Sequence, residues 1–452
     1  MRLVSFSVQG LFGTFDHEIK FDTRERIKIV HGPNGFGKTS VLRLIDAFFN
    51  SKYLTLRRIP YSKILFTFGD KSTIEVQRIV PPEEPKTKGI RRPIYATLTF
   101  THRTVRASEE SFTLKPPKLD RMSIPLSAID DMVPTLARSG PEEWVHMPTD
   151  RELSLADVLE EFADQLPQLG ERQHAEPDWM KNAIKSMPVY LIESQRLLLP
   201  TARGVKSPRI HSLPSPGGMS SAVSVYSKGM VDRIRETLAK SAEVSQSLDS
   251  SFPKRLLQDP QNGDTMVDDI RERYAAQVEK RTRLMEAGLL DREEEFPLPE
   301  TSIKDSDKHV LALYVKDVES KLAAFDDILK KMELFKQMIN GRFQYKQLKI
   351  DKSKGFIFNT LQGKNIPSSE LSSGEQHEVV LANQLLFDVQ EGSLILIDEP
   401  ELSLHVAWQQ EFLSDLKKIT DVIPMDFLVA THSPQIIGGR WDLTVELKGP
   451  EQ

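Results

Sequence analysis

Residues 31–40 read HGPNGFGKTS and space Gly32, Gly37, Lys38 and Thr39 as G-x-x-x-x-G-K-[ST]. That spacing suits phosphate chemistry. Glycines let backbone N–H groups wrap closely around an anion, and the helix that follows adds the positive end of its dipole. Pro33, Asn34, Gly35 and Ser40 complete the loop. Lys38 is expected to reach the outer phosphates of ATP, and Thr39 to hold Mg²⁺ through its hydroxyl. Two adjacent carboxylates, Asp398 and Glu399, close the run LILIDE. At the end of a buried strand they can divide the work: Asp398 as a Mg²⁺ ligand, Glu399 as the group that polarises the attacking water.

Two further polar groups follow short apolar runs. His432 ends DFLVATH, where its imidazole could hydrogen-bond phosphate or the attacking water, and Ser433-Pro434 behind it suits a helix start. Gln195 follows VYLIES and could contact a metal-bound water. The stretch LSSGEQ, residues 371–376, pairs Ser372 with Glu375 or Ser373 with Gln376 at capping-box spacing. A capping box accounts for the serines and acids but leaves Gly374 unexplained.

The elements that must carry these groups follow from periodicity. RIKIV precedes the glycine loop as a strand, and Val41, Leu44, Ile45 and Phe48 behind it share one helical face. VSFSVQGLF, HEIKF, KILFTF, STIEVQRIV and PIYATLTF read as further short strands, so the N-terminal part is β-rich with one helix. SLADVLEEFADQL reads as a helix capped by Ser154, and residues 200–227, rich in Pro, Ser and Gly, as a mobile loop. Leu311, Val315, Val318, Leu322, Phe325, Leu329 and Met332 alternate by four and three, the seam of a short coiled coil or helical hairpin. YKQLKI and GFIFNTL then return to strand. The chain therefore divides as residues 1–105, an N-terminal lobe with the glycine loop; 106–187, a helical and loop insertion; 188–225, the Gln195 strand and a loop; 226–345, a helical arm; and 346–452, a C-terminal lobe.

At 452 residues there is room for two or three domains with sizeable cores. A net charge of −5 argues against a uniformly basic nucleic-acid binder, although Arg57-Arg58, KTKGIRR at 86–92 and RGVKSPR at 203–209 are local basic runs. With no cysteine there is no disulfide, thiolate chemistry or cysteine zinc site. No signal or membrane-spanning segment is evident, which implies a cytoplasmic protein without membrane association.

The order of glycine loop, Gln195, LSSGEQ, IDEPE with Ser403-Leu404-His405, and THSP resembles the ABC-type ATPase superfamily. The likeness is to its soluble branch: RecF, SMC proteins and the overcoming-lysogenization-defect ATPases. It implies an α/β fold, an ABC-type ATPase head with a mixed β-sheet lobe, a phosphate-loop core and a helical insertion. It also implies a head-to-tail homodimer or higher oligomer clamping ATP between one subunit's phosphate loop and its partner's LSSGEQ. Ser372 and Gly374 would then contact the opposite γ-phosphate, with Ser373 and Glu375 completing the motif and Ser403 at the subunit junction. The long interval between Lys38 and Gln195 is unlike a transporter subunit. No several-hundred-residue coiled coil is present, and the 20 residues after His432 leave no room for a TOPRIM nuclease. The chain resembles instead the compact ATPase components of bacterial anti-phage systems, most of all Septu, whose PtuA ATPase pairs with a separate HNH nuclease, which would imply an ATPase subunit controlling such a nuclease; a PARIS-like ATPase is an alternative. Another is a RecF-like DNA-repair ATPase that binds duplex DNA directly rather than through such a complex.

Overall fold

The computed structural model describes residues 2–21, 24–80, 96–105, 108–115, 126–133, 135–147, 151–155, 157–158, 162, 176–193, 198–200, 219–258, 266–291, 298, 303–402 and 404–450. Gln195, Ser403, the basic runs at 86–92 and 203–209, and most of the loop expected at 200–227 and the helix after Ser154 lie outside these residues. Two compact units form: Met1–Met219 with Val389–Gln452, and Ser220–Asp388. The segment expected as a C-terminal lobe contributes to both, so LSSGEQ belongs to the second unit and the carboxylate pair to the first.

In the first unit a six-stranded antiparallel sheet runs in the spatial order Phe15–Lys20, Leu3–Leu11, Lys63–Phe68, Thr73–Ile79, Thr97–Arg103, Glu109–Leu114. Alternation drives it: Ile64, Phe66 and Phe68 of KILFTF point into the core while the residues between them do not. The last strand, Glu109–Leu114, was not evident from the sequence because only its Leu114 is buried. Helix Lys38–Phe49 lies against this core. Val41, Leu44, Ile45 and Phe48 are fully buried as their spacing predicts, each worth roughly 1.5–3 kcal/mol of transfer free energy. Phe48 stacks on Phe66 with ring centroids 4.6 Å apart.

A second sheet in the same unit is parallel throughout, in the order Val189–Ile192, Leu394–Asp398, Asp426–Ala430, Ile27–His31, Thr444–Glu446. Leu394, Ile395, Leu396 and Ile397 are all buried, the continuous apolar run expected of a central strand covered on both faces. Because every pair is parallel, all five strands end along one edge. The glycine loop, the carboxylate pair, Glu193 and the His432 segment emerge there together.

The second unit contains helices Ala222–Gln258, Val267–Ala287, Asp305–Ala323 and Asp326–Arg342, a small antiparallel sheet led by Lys346–Asp351 and Gly355–Thr360, and helix Ser373–Asn383. The seam from Leu311 to Met332 is buried apart from a half-buried Leu311, yet it passes through a break at Ala324-Phe325 that separates two helices. Both linking residues keep right-handed dihedrals, so the apolar phase survives the break. Arg255 with Asp317, Arg273 with Glu319 and Arg283 with Glu333 form two-pronged ion pairs between these helices.

Candidate functional site

The phosphate loop owes its shape to two glycines. Gly37 caps helix Lys38–Phe49 with φ +87°, and a Cβ there would sit 2.5 Å from Leu11 Cδ2. Gly32, with φ +150°, passes 2.9 Å from the Leu447 carbonyl by the same measure. Any side chain at either position must displace its neighbours or strain the backbone. Pro33, Asn34 and Gly35 are exposed at the crest of the loop, and Ser40 is half-buried in the helix's first turn.

Lys38 is buried and donates to the carbonyls of Gly32 at 2.9 Å and Pro33 at 3.1 Å. Its ammonium also lies 3.4 Å from His432 Nδ1. Burial lowers the Lys38 pKa, opposed by the nearby charges of Glu399, Asp398 and Glu401. An ammonium only donates, so Nδ1 accepts and the imidazole proton sits on Nε2, the nitrogen 3.6 Å from Glu399 Oε1. His432 thus bridges the phosphate-loop lysine and the second carboxylate.

Thr39 Oγ1 donates to Asp398 Oδ1 at 3.2 Å. Burial pushes the Asp398 carboxyl up, partly offset by the Thr39 hydrogen bond and reinforced by Glu399. These two oxygens are hard donors of the kind Mg²⁺ accepts, and a cation would reverse the desolvation penalty on Asp398. Among the described residues no group of three or more His, Cys, Asp or Glu is arranged to hold a metal. A Mg²⁺ here would be held by the Thr39 hydroxyl and the Asp398 carboxylate and would supply positive charge for phosphate. Glu399 follows directly with φ +47°, a left-handed conformation that side chains seldom adopt, and its N–H donates to Ala430 O at 2.9 Å.

Three residues at this edge escaped sequence reasoning. Glu401 accepts the His432 N–H through Oε1 at 2.6 Å. His17, buried, hydrogen-bonds the carbonyl of Phe36 in the phosphate loop at 2.9 Å, and burial lowers its pKa against the raising effect of that bond. Phe12 is 44% exposed in a left-handed turn, its ring edge 3.6 Å from the Cβ position of Gly37. An apolar residue between Gly10 and Gly13 was a signal for Phe12; nothing local marked the other two.

In the second unit Ser372 caps helix Ser373–Asn383 in a complete capping box with Glu375. Ser372 Oγ accepts from Glu375 N at 3.3 Å, and Ser372 N donates to Glu375 Oε2 at 2.7 Å. Lys346 binds the same oxygen at 2.7 Å. Burial alone raises the Glu375 carboxyl, but Lys346 and the Ser372 amide outweigh it and hold it low. Ser372 and Ser373 are exposed, and Gly374 follows in the first turn. Gln376 turns back to Leu371 O instead of forming a second box.

The AAA_21 family model, "AAA domain, putative AbiEii toxin, Type IV TA system", matches residues 229–438, a span that excludes the phosphate loop. The phosphonates import ATP-binding protein PhnC of Staphylococcus aureus (strain USA300) is 29% identical over 119 residues, and that of Staphylococcus haemolyticus (strain JCSC1435) likewise. Each match covers 24% of this chain and 45% of the relative, so the chain spans less than half the length of these curated proteins. Among solved structures, the Smc head domain with an extended coiled coil bound to the C-terminal domain of ScpA, from Pyrococcus furiosus, overlaps 96% of this chain and 91% of its own at 11% identity and TM-score 0.32. The SMC head domain from Thermotoga maritima overlaps 97% and 91% at 12% identity and TM-score 0.31.

Proposed function

We propose that this chain is an ATPase of the ABC/SMC type, in which two copies close around ATP and the nucleotide state governs a separate nuclease. The observation that carries the first half is the convergence of Lys38, Thr39, Asp398, Glu399 and His432 at one edge of the parallel sheet. In this reading the loop amides and Lys38 bind the triphosphate, Lys38 leaving the Gly32 and Pro33 carbonyls for phosphate oxygens. Thr39 and Asp398 would hold Mg²⁺, which when bound neutralises phosphate charge. Glu399 orients the attacking water and takes up its proton, and the Nε2–H of His432 steadies Glu399 and the departing phosphate.

The second half rests on sequence. Ser372 to Glu375 of one copy would face the nucleotide of the other, and the motif order is similar to Septu-type ATPases that act with an HNH nuclease. Differential affinity of ATP for open and closed forms would supply the switch. Direct duplex-DNA binding draws less support, because Arg57 spends its guanidinium on the carbonyls of Ala96, Leu114 and Lys115, and Arg58 pairs with Asp157. Among the described residues no helix is long and apolar enough to cross a membrane.

Phosphate release and solution mass of the wild type and Glu399→Gln test the reading together. Slow turnover is expected in the wild type, almost none in the variant, and an ATP-trapped dimer of the variant. A variant that turns over at the wild-type rate refutes the role of Glu399, and a monomer at saturating ATP refutes the shared site. Co-purification with a small HNH protein tests the nuclease partnership.

A further inference from the structure

We infer that Glu401 is a positioning residue for hydrolysis, fixing His432 against the turn that follows the carboxylate pair. Glu401 lies in the single 3₁₀ turn Pro400–Leu402, immediately after Glu399. Its Oε1 accepts the His432 N–H at 2.6 Å, a charge-assisted bond stronger than a backbone carbonyl would form. Buried Gln409 makes a second tie. Its Nε2 donates to the carbonyls of Glu401 at 3.3 Å and Leu404 at 3.2 Å, while its Oε1 accepts from Ser433 Oγ at 2.8 Å. His432 and Ser433 are therefore held by the side chains of Glu401 and Gln409. These ties decide where the imidazole ring lies between Lys38 and Glu399.

Glu401 Oε2 is buried with no hydrogen-bond partner among the described residues, a desolvation cost that a neutral side chain would lessen. What the charge gains is a strong grip on the His432 amide and a third negative group favouring the Lys38 ammonium. The turn that carries the water-polarising Glu399 and the loop that carries His432 thus move as one piece, and displacing the turn displaces the imidazole.

The inference rests on the ATPase reading, so the experiment separates the two. Turnover and ATP affinity are measured for the wild type, Glu401→Ala, Glu401→Gln, Gln409→Met, His432→Ala and the Glu401→Ala/His432→Ala pair. Hydrogen exchange of the peptide spanning residues 431–433 is measured in the single variants without nucleotide. Glu401→Ala is expected to lower kcat about tenfold to a hundredfold, the cost of misplacing a reacting group, with no loss of ATP affinity. Glu401→Gln keeps an oxygen acceptor and retains kcat within about threefold, and Gln409→Met falls between them. With His432 already Ala, Glu401→Ala costs less than about twofold more, because the two act as a unit. Exchange at the His432 amide accelerates in Glu401→Ala but not in Glu401→Gln. Independent, multiplicative losses, a Gln variant no better than Ala, or unchanged exchange would each overturn the inference. A wild type that releases no phosphate refutes the ATPase reading instead, and exchange still decides whether Glu401 holds the His432 segment.

Discussion

Glu399 combines its proposed water-polarising role with a backbone conformation that penalises any side chain, so activity and stability should pull in opposite directions there. Its φ of +47° puts a Cβ-bearing residue in the left-handed region, at a cost of about 1–2 kcal/mol relative to glycine. Replacing it with Gly removes that strain but returns about 0.5–1 kcal/mol through the greater freedom of the unfolded chain. Glu399→Gly is therefore expected to stabilise the protein by about 0.5–1 kcal/mol while abolishing turnover. The charge acts both ways, since Glu399 raises the Asp398 carboxyl but also favours the buried Lys38 ammonium. Glu399→Gln separates the two contributions: it removes charge, keeps the strained Cβ and should gain less. Urea denaturation without nucleotide, followed in all three proteins, reads the ranking, with Gly above both Gln and wild type. A Gly variant less stable than wild type would refute the idea that the active-site turn stores strain.

Two other perturbations test supports of the site. His17 is buried and favours its neutral form, so its folded pKa lies below the ordinary value of about 6.5. As pH falls below that value the unfolded chain takes up a proton that the folded one resists, and stability declines until the folded pKa is passed. His17→Gln has an N–H for Phe36 but nothing to titrate, so its Tm should fall less than the wild type's between pH 7 and 5; an equal fall would exclude His17 as a source of acid sensitivity. Arg57→Met takes the donor from the buried Ala96 and Leu114 carbonyls and the part-buried Lys115 carbonyl and should cost about 2–6 kcal/mol, taking 1–3 kcal/mol for each of the two buried orphans. Urea denaturation measures this, and an unchanged midpoint together with lost DNA binding would revive the duplex-DNA reading.

The groups proposed to bind phosphate were legible because their chemistry is local. A glycine loop needs only its own dihedrals and the strand and helix beside it, and Gly32, Gly37, Lys38 and Thr39 carry all of that within eight residues. Asp398 and His432 were legible for a related reason: a short apolar run ending in one polar group marks the carboxyl end of a buried parallel strand. Glu401 and His17 act through the backbone of distant segments, and a carboxylate bound to an amide 31 residues away leaves no periodic trace. The seam over residues 311–332 hid the break at Ala324-Phe325, because right-handed dihedrals at both positions keep the apolar phase. Arg57 looked like part of a basic surface, since sequence reports charge but not the carbonyls that enclose it.

The capping box at LSSGEQ bears on whether a helix start can serve both structure and anion binding. Ser372 Oγ uses a lone pair to accept from Glu375 N, so its hydroxyl hydrogen can still be donated outward from an exposed position. Glu375 adds a negative charge that would repel phosphate, but Lys346 sits on the same Oε2 that holds the Ser372 amide and offsets it. The helix dipole and the exposed Ser373 then act on an approaching anion without a net local repulsion. Capping and phosphate recognition are therefore compatible at these residues, and Lys346, outside the motif, is what makes them so. Lys346→Met leaves the box intact and the carboxylate uncompensated, so it should weaken the ATP-induced dimer of Glu399→Gln without weakening ATP binding to a single copy. Equal dimer stability with and without the Lys346 charge would mean that no phosphate approaches this helix.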